Sequence, residues 1–234
     1  MMKKLISMVS LLLLLPLTAC TLQAKSTSHV KYIQNGVVAQ AYGTSPVKIV
    51  RYKIGNESGS VTTKNGSYKI NLPTKTNRQS VTIKTNNLTF RRSIQSKTAI
   101  GEYDQFRSIY NKLVFMNALK SGNQNYQKLP SKVSGLHKVL IDKSSLVKLN
   151  VQGNQLMSTT VVINSAALKN KTRQQQILTK IGMLSVAMGA NESQVADKLQ
   201  NALLNQGSSS FISNGVRFKL GYTLNSIYIY ASHQ

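Results

Sequence analysis

The chain has no tryptophan, one cysteine, three histidines and six acidic residues among 234. Each shortage removes a class of chemistry. A lone cysteine, Cys20, has no partner for an intramolecular disulfide. The six carboxylates are Glu57, Glu102, Asp104, Asp142, Glu192 and Asp197. Paired acid–base catalysis needs two that converge. Glu102 and Asp104 are close in sequence, but two positions on a helix point about 200° apart. They suit a first helical turn, where the dipole favours negative charge. Asp142 reads as a turn residue before Lys143-Ser144-Ser145, and Glu192 and Asp197 suit the start of a late helix. Of the histidines, only His137 falls in an expected strand, and no pair has metal-ligand spacing. There is no Gly-x-Ser-x-Gly elbow and no phosphate-cradling glycine loop. The expectation is a non-enzymatic protein with no metal and no cofactor.

Basic residues are abundant: 30 Lys and Arg, for a formal charge of +24. Such a balance says nothing about fold but attracts polyanions. Outside a cell these are anionic lipid head groups, phosphate-bearing wall polymers and extracellular DNA.

The first twenty residues have a distinct layout. Lys3 and Lys4 precede an apolar run from Leu5 to Leu17, which ends in Leu17-Thr18-Ala19-Cys20. The run is about 13 residues, whereas a bilayer span takes about 20. A charged start, a short apolar middle and small residues before a cleavage point describe a secretory signal peptide. Leu17, Thr18, Ala19 and Cys20 resemble the lipobox of bacterial lipoproteins. That resemblance implies a diacylglyceryl group on Cys20, cleavage before it, and a membrane anchor on the extracellular face. The leader carries two of the 30 basic residues, so the mature chain keeps 28 against 6. Its high Lys, Asn, Ser, Thr and Gln content, with no tryptophan and no disulfide, fits a Gram-positive envelope.

The expected organisation is a signal peptide over 1–19, a lipidated tether over 20–29, a β-rich lobe over 30–97, a helix and loop over 98–134, and an α+β lobe over 135–234. In the first lobe, Val47–Ile54, Tyr68–Leu72, Val81–Lys84 and Leu88–Arg92 read as strands, with turns at Asn65-Gly66 and Asn86-Asn87. They suggest a small β-sandwich. Gly66-Ser-Tyr-Lys-Ile-Asn-Leu-Pro followed by Gln79-Ser-Val-Thr-Ile-Lys is similar to the Ig-like modules of Gram-positive surface proteins. That similarity implies a spacer or adhesive module.

From Gly101 the apolar period lengthens. Tyr103, Phe106, Ile109, Tyr110, Leu113, Phe115 and Met116 recur at helical steps, which predicts a helix over about 102–119 stopped by Gly122. After Gly135 the expected pattern is ββααββ, an antiparallel sheet covered by two helices. The helices are Lys171–Met188 and a second one capped by Asn191 and closed by Gly207. A helix-turn-helix reading of this pair conflicts with export, so intracellular nucleic acid is not an expected partner. Near the C-terminus Arg217 and Lys219 alternate with Val216 and Phe218, and Tyr228 and Tyr230 follow. If one face of that hairpin is core, the charges lie on the other. Arg217, Lys219, Tyr228 and Tyr230 are therefore the candidate contacts for a polyanion or glycan.

The function expected from these features is a membrane-anchored surface lipoprotein with a basic surface. It would bind anionic wall polymers or lipids, or a protein partner. The alternatives are a solute- or peptide-binding lipoprotein of a transport system and a phage-exclusion lipoprotein.

Overall fold

The computed structural model describes residues 28–33, 38–86, 88–122, 126–205 and 209–234. Within them the fold is α+β, with antiparallel sheets and three α-helices.

Seven strands form the N-terminal lobe. β1 (His29–Ile33), β2 (Val38–Thr44) and β5 (Ser67–Pro73) make one sheet; β3 (Ile49–Ile54), β4 (Glu57–Thr62), β6 (Gln79–Lys84) and β7 (Thr89–Ile94) make another, in the order β4-β3-β6-β7. Period-two alternation sends one face of each inward. Tyr68, Ile70 and Leu72 are buried while Lys69 and Asn71 are exposed. Those three join Ala39 and Ala41 from their own sheet, and Val50, Val81, Ile83 and Ile94 from the other, in one shared core. The lobe is thus sandwich-like. The chain crosses between the sheets at Asn65-Gly66, where both residues have positive φ (50° and 73°). That is the backbone a tight two-residue turn requires, and it explains the Asn-Gly pair.

The C-terminal unit opens with a two-residue strand, β8 (Gly101–Glu102), and runs directly into α1 (Tyr103–Ser121). The helix has no side-chain cap of its own. Instead Asn154, in a hairpin 50 residues on, accepts from the Asp104 amide through Oδ1 at 3.2 Å. Gly122, at φ 66°, ends the helix as a C-cap. Three strands follow: β9 (Gly135–Val139), β10 (Ser145–Gln152) and β11 (Gln155–Asn164). The first ends at Val139 because Leu140 turns into the left-handed region at φ 48°. A 3-10 turn (Ser165–Lys169) leads to α2 (Lys171–Ala187) and α3 (Glu192–Asn205). Asn170 and Asn191 cap these two helices, accepting from the amides of Arg173 and Gln194. The chain closes with β12 (Ser210–Ser213), β13 (Val216–Tyr222) and β14 (Ser226–His233). The sheet order is β12-β13-β14-β11-β10-β9, with β8 added against β11.

Two sequence expectations change. The sheet has seven strands against the four of ββααββ: β8 and β12 are too short to carry a periodic signal of their own, and three strands rather than two (β9, β10, β11) precede α2. β12 is nonetheless set by a hairpin at Asn214-Gly215, both at positive φ. Second, α1 is not a separate connecting element. Tyr103, Phe106, Tyr110 and Val114 enter the same core as Val147, Leu149, Val161 and Ile229 of the sheet. Three helices therefore cover the sheet rather than two. The segment after α1 is also tied back to it: Asn111 both donates to the Leu129 carbonyl and accepts from the Leu129 amide. Gly207, the expected end of the last helix, lies outside the described residues.

Candidate functional site

Strand register places the functional side chains. On β13, Val216, Phe218 and Leu220 enter the core while Arg217 and Lys219 are exposed. On β14, Ile227, Ile229 and Ala231 enter the core, and Tyr228 and Tyr230 stay half-buried on the other side. Directly paired residues of an antiparallel sheet share a face. Lys219 pairs with Tyr230, and Arg217 with Ser232. Arg217, Lys219, Tyr228 and Tyr230 thus lie together on the face that the helices leave open.

The register extends this group across the sheet. Tyr230 pairs with Thr160, Thr160 with Lys148, and Lys148 with Lys138. Lys219, Tyr230, Thr160, Lys148 and Lys138 therefore form one row over five strands, with Thr160 buried between the exposed lysines. Neighbouring strands are about 4.8 Å apart, so Lys219 and Lys148 project about 14 Å from one another. Strands β9 to β14 contain no Asp or Glu. None of the three ion pairs among the described residues involves Arg217, Lys219, Lys148 or Lys138. Their charge is uncompensated in this row. The Tyr228 and Tyr230 rings lie 6.0 Å apart and 9° from parallel. Burial, with the neighbouring Tyr228 adding to it, raises the Tyr230 phenol above its usual range, so it stays a neutral donor at physiological pH.

The N-terminal lobe closes one side of this face. Asn150, in the row beside Lys148, donates through Nδ2 to the Thr74 carbonyl at 3.1 Å. Asn150 and its pair Ser158 are buried as a result. What remains open is a strip of cations and tyrosine edges beside the lobe junction. It has the features of a polyanion-binding surface: several donors, positive charge, and aromatic rings against which a sugar or chain can lie.

Comparison of the chain with protein-family models, with curated proteins and with solved structures finds no match.

The other residues weighed from sequence are dispersed. His137 is exposed on the edge strand β9. Asp104 pairs with Arg107 at 3.5 Å within one helix turn. Asp142 does occupy a turn, where its Oδ1 accepts from the Ser144 and Ser145 amides at 2.7 and 2.8 Å. It also pairs with Lys180 of α2, which donates to Ser145 Oγ at 2.9 Å. Ser145 is buried beneath this contact. Among the described residues no three of His, Cys, Asp and Glu cluster as metal ligands. Leu17, Thr18, Ala19 and Cys20 lie outside the described residues.

Sequence reasoning missed Lys148, Lys138 and Lys180. Lys148 had a local signal, since it interrupts the apolar run Leu146-Val147-Lys148-Leu149 in strand phase. Joining it to Lys219 needs the strand order, which no local pattern supplies.

Proposed function

We propose that the chain is a non-enzymatic lipoprotein, held on the extracellular face of the cell membrane through a diacylglyceryl group on Cys20. Its N-terminal lobe, which we read as Ig-like, links the anchor to the C-terminal lobe. Its C-terminal lobe holds an anionic envelope polymer along the row Lys219–Tyr230–Thr160–Lys148–Lys138. The observation that carries this reading is that row: uncompensated cations in register on an open sheet face whose strands have no acid. A polymer with regularly spaced phosphates would meet a cation at each end of the row and tyrosine in between. The lipobox at Leu17–Cys20 supports the location.

Binding of the purified mature chain to a soluble polyphosphodiester tests the polymer half. Affinity should fall steeply as salt rises, because Coulomb attraction between exposed charges is screened. Lys148→Gln with Lys219→Gln should weaken it about tenfold, the equivalent of about 1.4 kcal/mol. Salt-insensitive binding, or a double variant that binds like the parent, would remove the assignment. For the anchor, Cys20→Ser should shift the protein out of the membrane fraction and abolish lipid labelling.

A further inference from the structure

The helix side of the C-terminal lobe carries a second cationic feature that the polymer reading does not use. A groove of about 750 Å³ runs between α1 and α2 and is closed at one side by the 142–144 turn. That volume is within the usual range for small-ligand sites, about 300–1,000 Å³. Its floor includes the buried Tyr110, Val114 and Ile177. Lys143, Arg173 and Lys180 stand on its rim with one carboxylate, Asp142. Asp142 is occupied by Lys180 and by the Ser144 and Ser145 amides. Lys143 and Arg173 form none of the three ion pairs among the described residues. The groove is a concave site with excess positive charge.

Beside its mouth is exposed apolar surface. Tyr126 lines the groove and meets the Phe115 ring edge-on, 6.2 Å between centroids, with the Lys128 ammonium 5.5 Å from its own ring centre. Phe115, Met116 and Leu119 are 47%, 44% and 68% exposed, on the side of α1 away from its buried stripe. Gln127, also in the groove wall, donates to the carbonyl of Ile141, which is 57% exposed. Lys112, Lys120 and Lys128 are interspersed. Residues 105–141 contain no acid, and neither does α2.

We infer that this surface docks on an anionic phospholipid monolayer, with a headgroup phosphate seated in the α1–α2 groove and Phe115, Met116, Leu119 and Ile141 entering the interface. A soluble anion would use the rim cations but leave the apolar side chains in water. A bilayer interface satisfies both, since acyl chains take the apolar groups and lysine stems reach back to the headgroups. Each basic side chain near an anionic leaflet contributes about 1 kcal/mol, so several are needed alongside so small an apolar patch. The docking also has a geometric consequence. The helices lie on the opposite side of the sheet from Lys219 and Tyr230, so membrane contact leaves that row free for its polymer.

The test is sedimentation of the unlipidated mature chain, residues 20–234, with vesicles of equal phosphatidylglycerol and phosphatidylcholine, or of phosphatidylcholine alone. The expected result is preference for the anionic vesicles. Phe115→Ser with Leu119→Ser should weaken binding to both compositions about tenfold, the loss expected for withdrawing two large apolar groups in part. Lys143→Gln with Arg173→Gln should weaken binding to the anionic vesicles about 30-fold and leave binding to phosphatidylcholine alone unchanged. Thermal melting of each variant confirms that it is folded. Lys148→Gln with Lys219→Gln should bind the soluble polymer about tenfold more weakly yet keep the vesicles, so failure of the polymer reading leaves this one standing. Three results overturn the proposal: unchanged vesicle binding in both groove-side variants, loss of vesicle binding in the open-face variant, or a Phe115/Leu119 variant whose only change is loss of self-association. Glycerol phosphate competing at millimolar concentration as well as the vesicles do would assign the groove to a free anion and overturn the membrane docking.

Discussion

Asn150 and Thr74, 76 residues apart in sequence, meet in a buried hydrogen bond between the two lobes, Asn150 Nδ2 to the Thr74 carbonyl at 3.1 Å. The Asn150 amide is used at both ends, since its Oδ1 accepts from Gln152 Nε2 at 2.7 Å. Replacing it by leucine withdraws the donor from a carbonyl that is out of reach of water. Asn150→Leu should lower stability by about 1–3 kcal/mol. Urea denaturation reads that loss, and hydrogen exchange should quicken at residues 73–79. A midpoint and exchange pattern like the parent's would mean that other contacts hold the lobes.

Acid should loosen the turn that walls the groove. Burial by itself would raise the Asp142 carboxyl. The hydrogen bond from Lys180, the Ser144 amide, the Lys180 charge and the Ser145 amide outweigh burial and hold it below its ordinary value. A carboxyl depressed on folding contributes stability that is complete above the unfolded pKa, about 3.9, and is lost as pH falls through the lower folded value. Asp142 is partly exposed, so solvent screening keeps the pair's worth within about 1 kcal/mol. Asp142→Asn should therefore be less stable than the parent at pH 7, with the gap closing below about pH 4. Parallel stability curves across that range would refute the coupling.

Alkali should act on α1. Burial raises the Tyr103 phenol to about 12, with Arg107 lowering it and Asp104 raising it to lesser degrees. Its hydroxyl donates to the Pro130 carbonyl at 2.6 Å, a contact the phenolate cannot make. A phenol raised on folding contributes stability that is complete below the unfolded pKa, about 10, and declines as pH rises toward the folded one. Stability should fall between pH 10 and about 12, and Tyr103→Phe should make that fall shallower without removing it, since burial also raises the Tyr32, Tyr68, Tyr110, Tyr222 and Tyr230 phenols, while costing about 1 kcal/mol at neutral pH. Ultraviolet titration of phenolate, as the difference between parent and variant, gives the contribution of Tyr103 among the late-titrating phenols.

Much of the local structure was legible because its causes are local. Alternation in Tyr68-Lys69-Ile70-Asn71-Leu72 sorts one strand's two faces without reference to any neighbour. Asn65-Gly66 and Asn214-Gly215 tolerate the positive φ that their turns need. Gly122 stops α1 for the same reason. The apolar period of α1 marks it as a helix, yet Phe115 and Met116, which belong to that apolar set, are exposed while Val114 and Ala118 are buried. Periodicity shows that a helix has a stripe; the neighbour, here α2 and the sheet, decides how wide a stripe is covered. β8 and β12 gave no such signal, since two and four residues are too few to show a period.

The candidate site divides the same way. That Arg217 and Lys219 share a face follows from strand geometry alone, and so does the pairing of Tyr228 with Tyr230. Their union with Lys148 and Lys138 depends on β14 lying between β13 and β11, a choice made by packing over separations of tens of residues. Sequence by itself determined the excess of positive charge, the dearth of carboxylates and histidines, the single cysteine and the elements built from neighbours in the chain. Only the tertiary structure decided that α1 joins the helix layer, that Lys180 reaches Asp142, and that cations from three strands stand on one open face. The reason is range: residue chemistry and backbone preference act over a few positions, whereas a surface is assembled by strand order and burial, which depend on the whole chain at once.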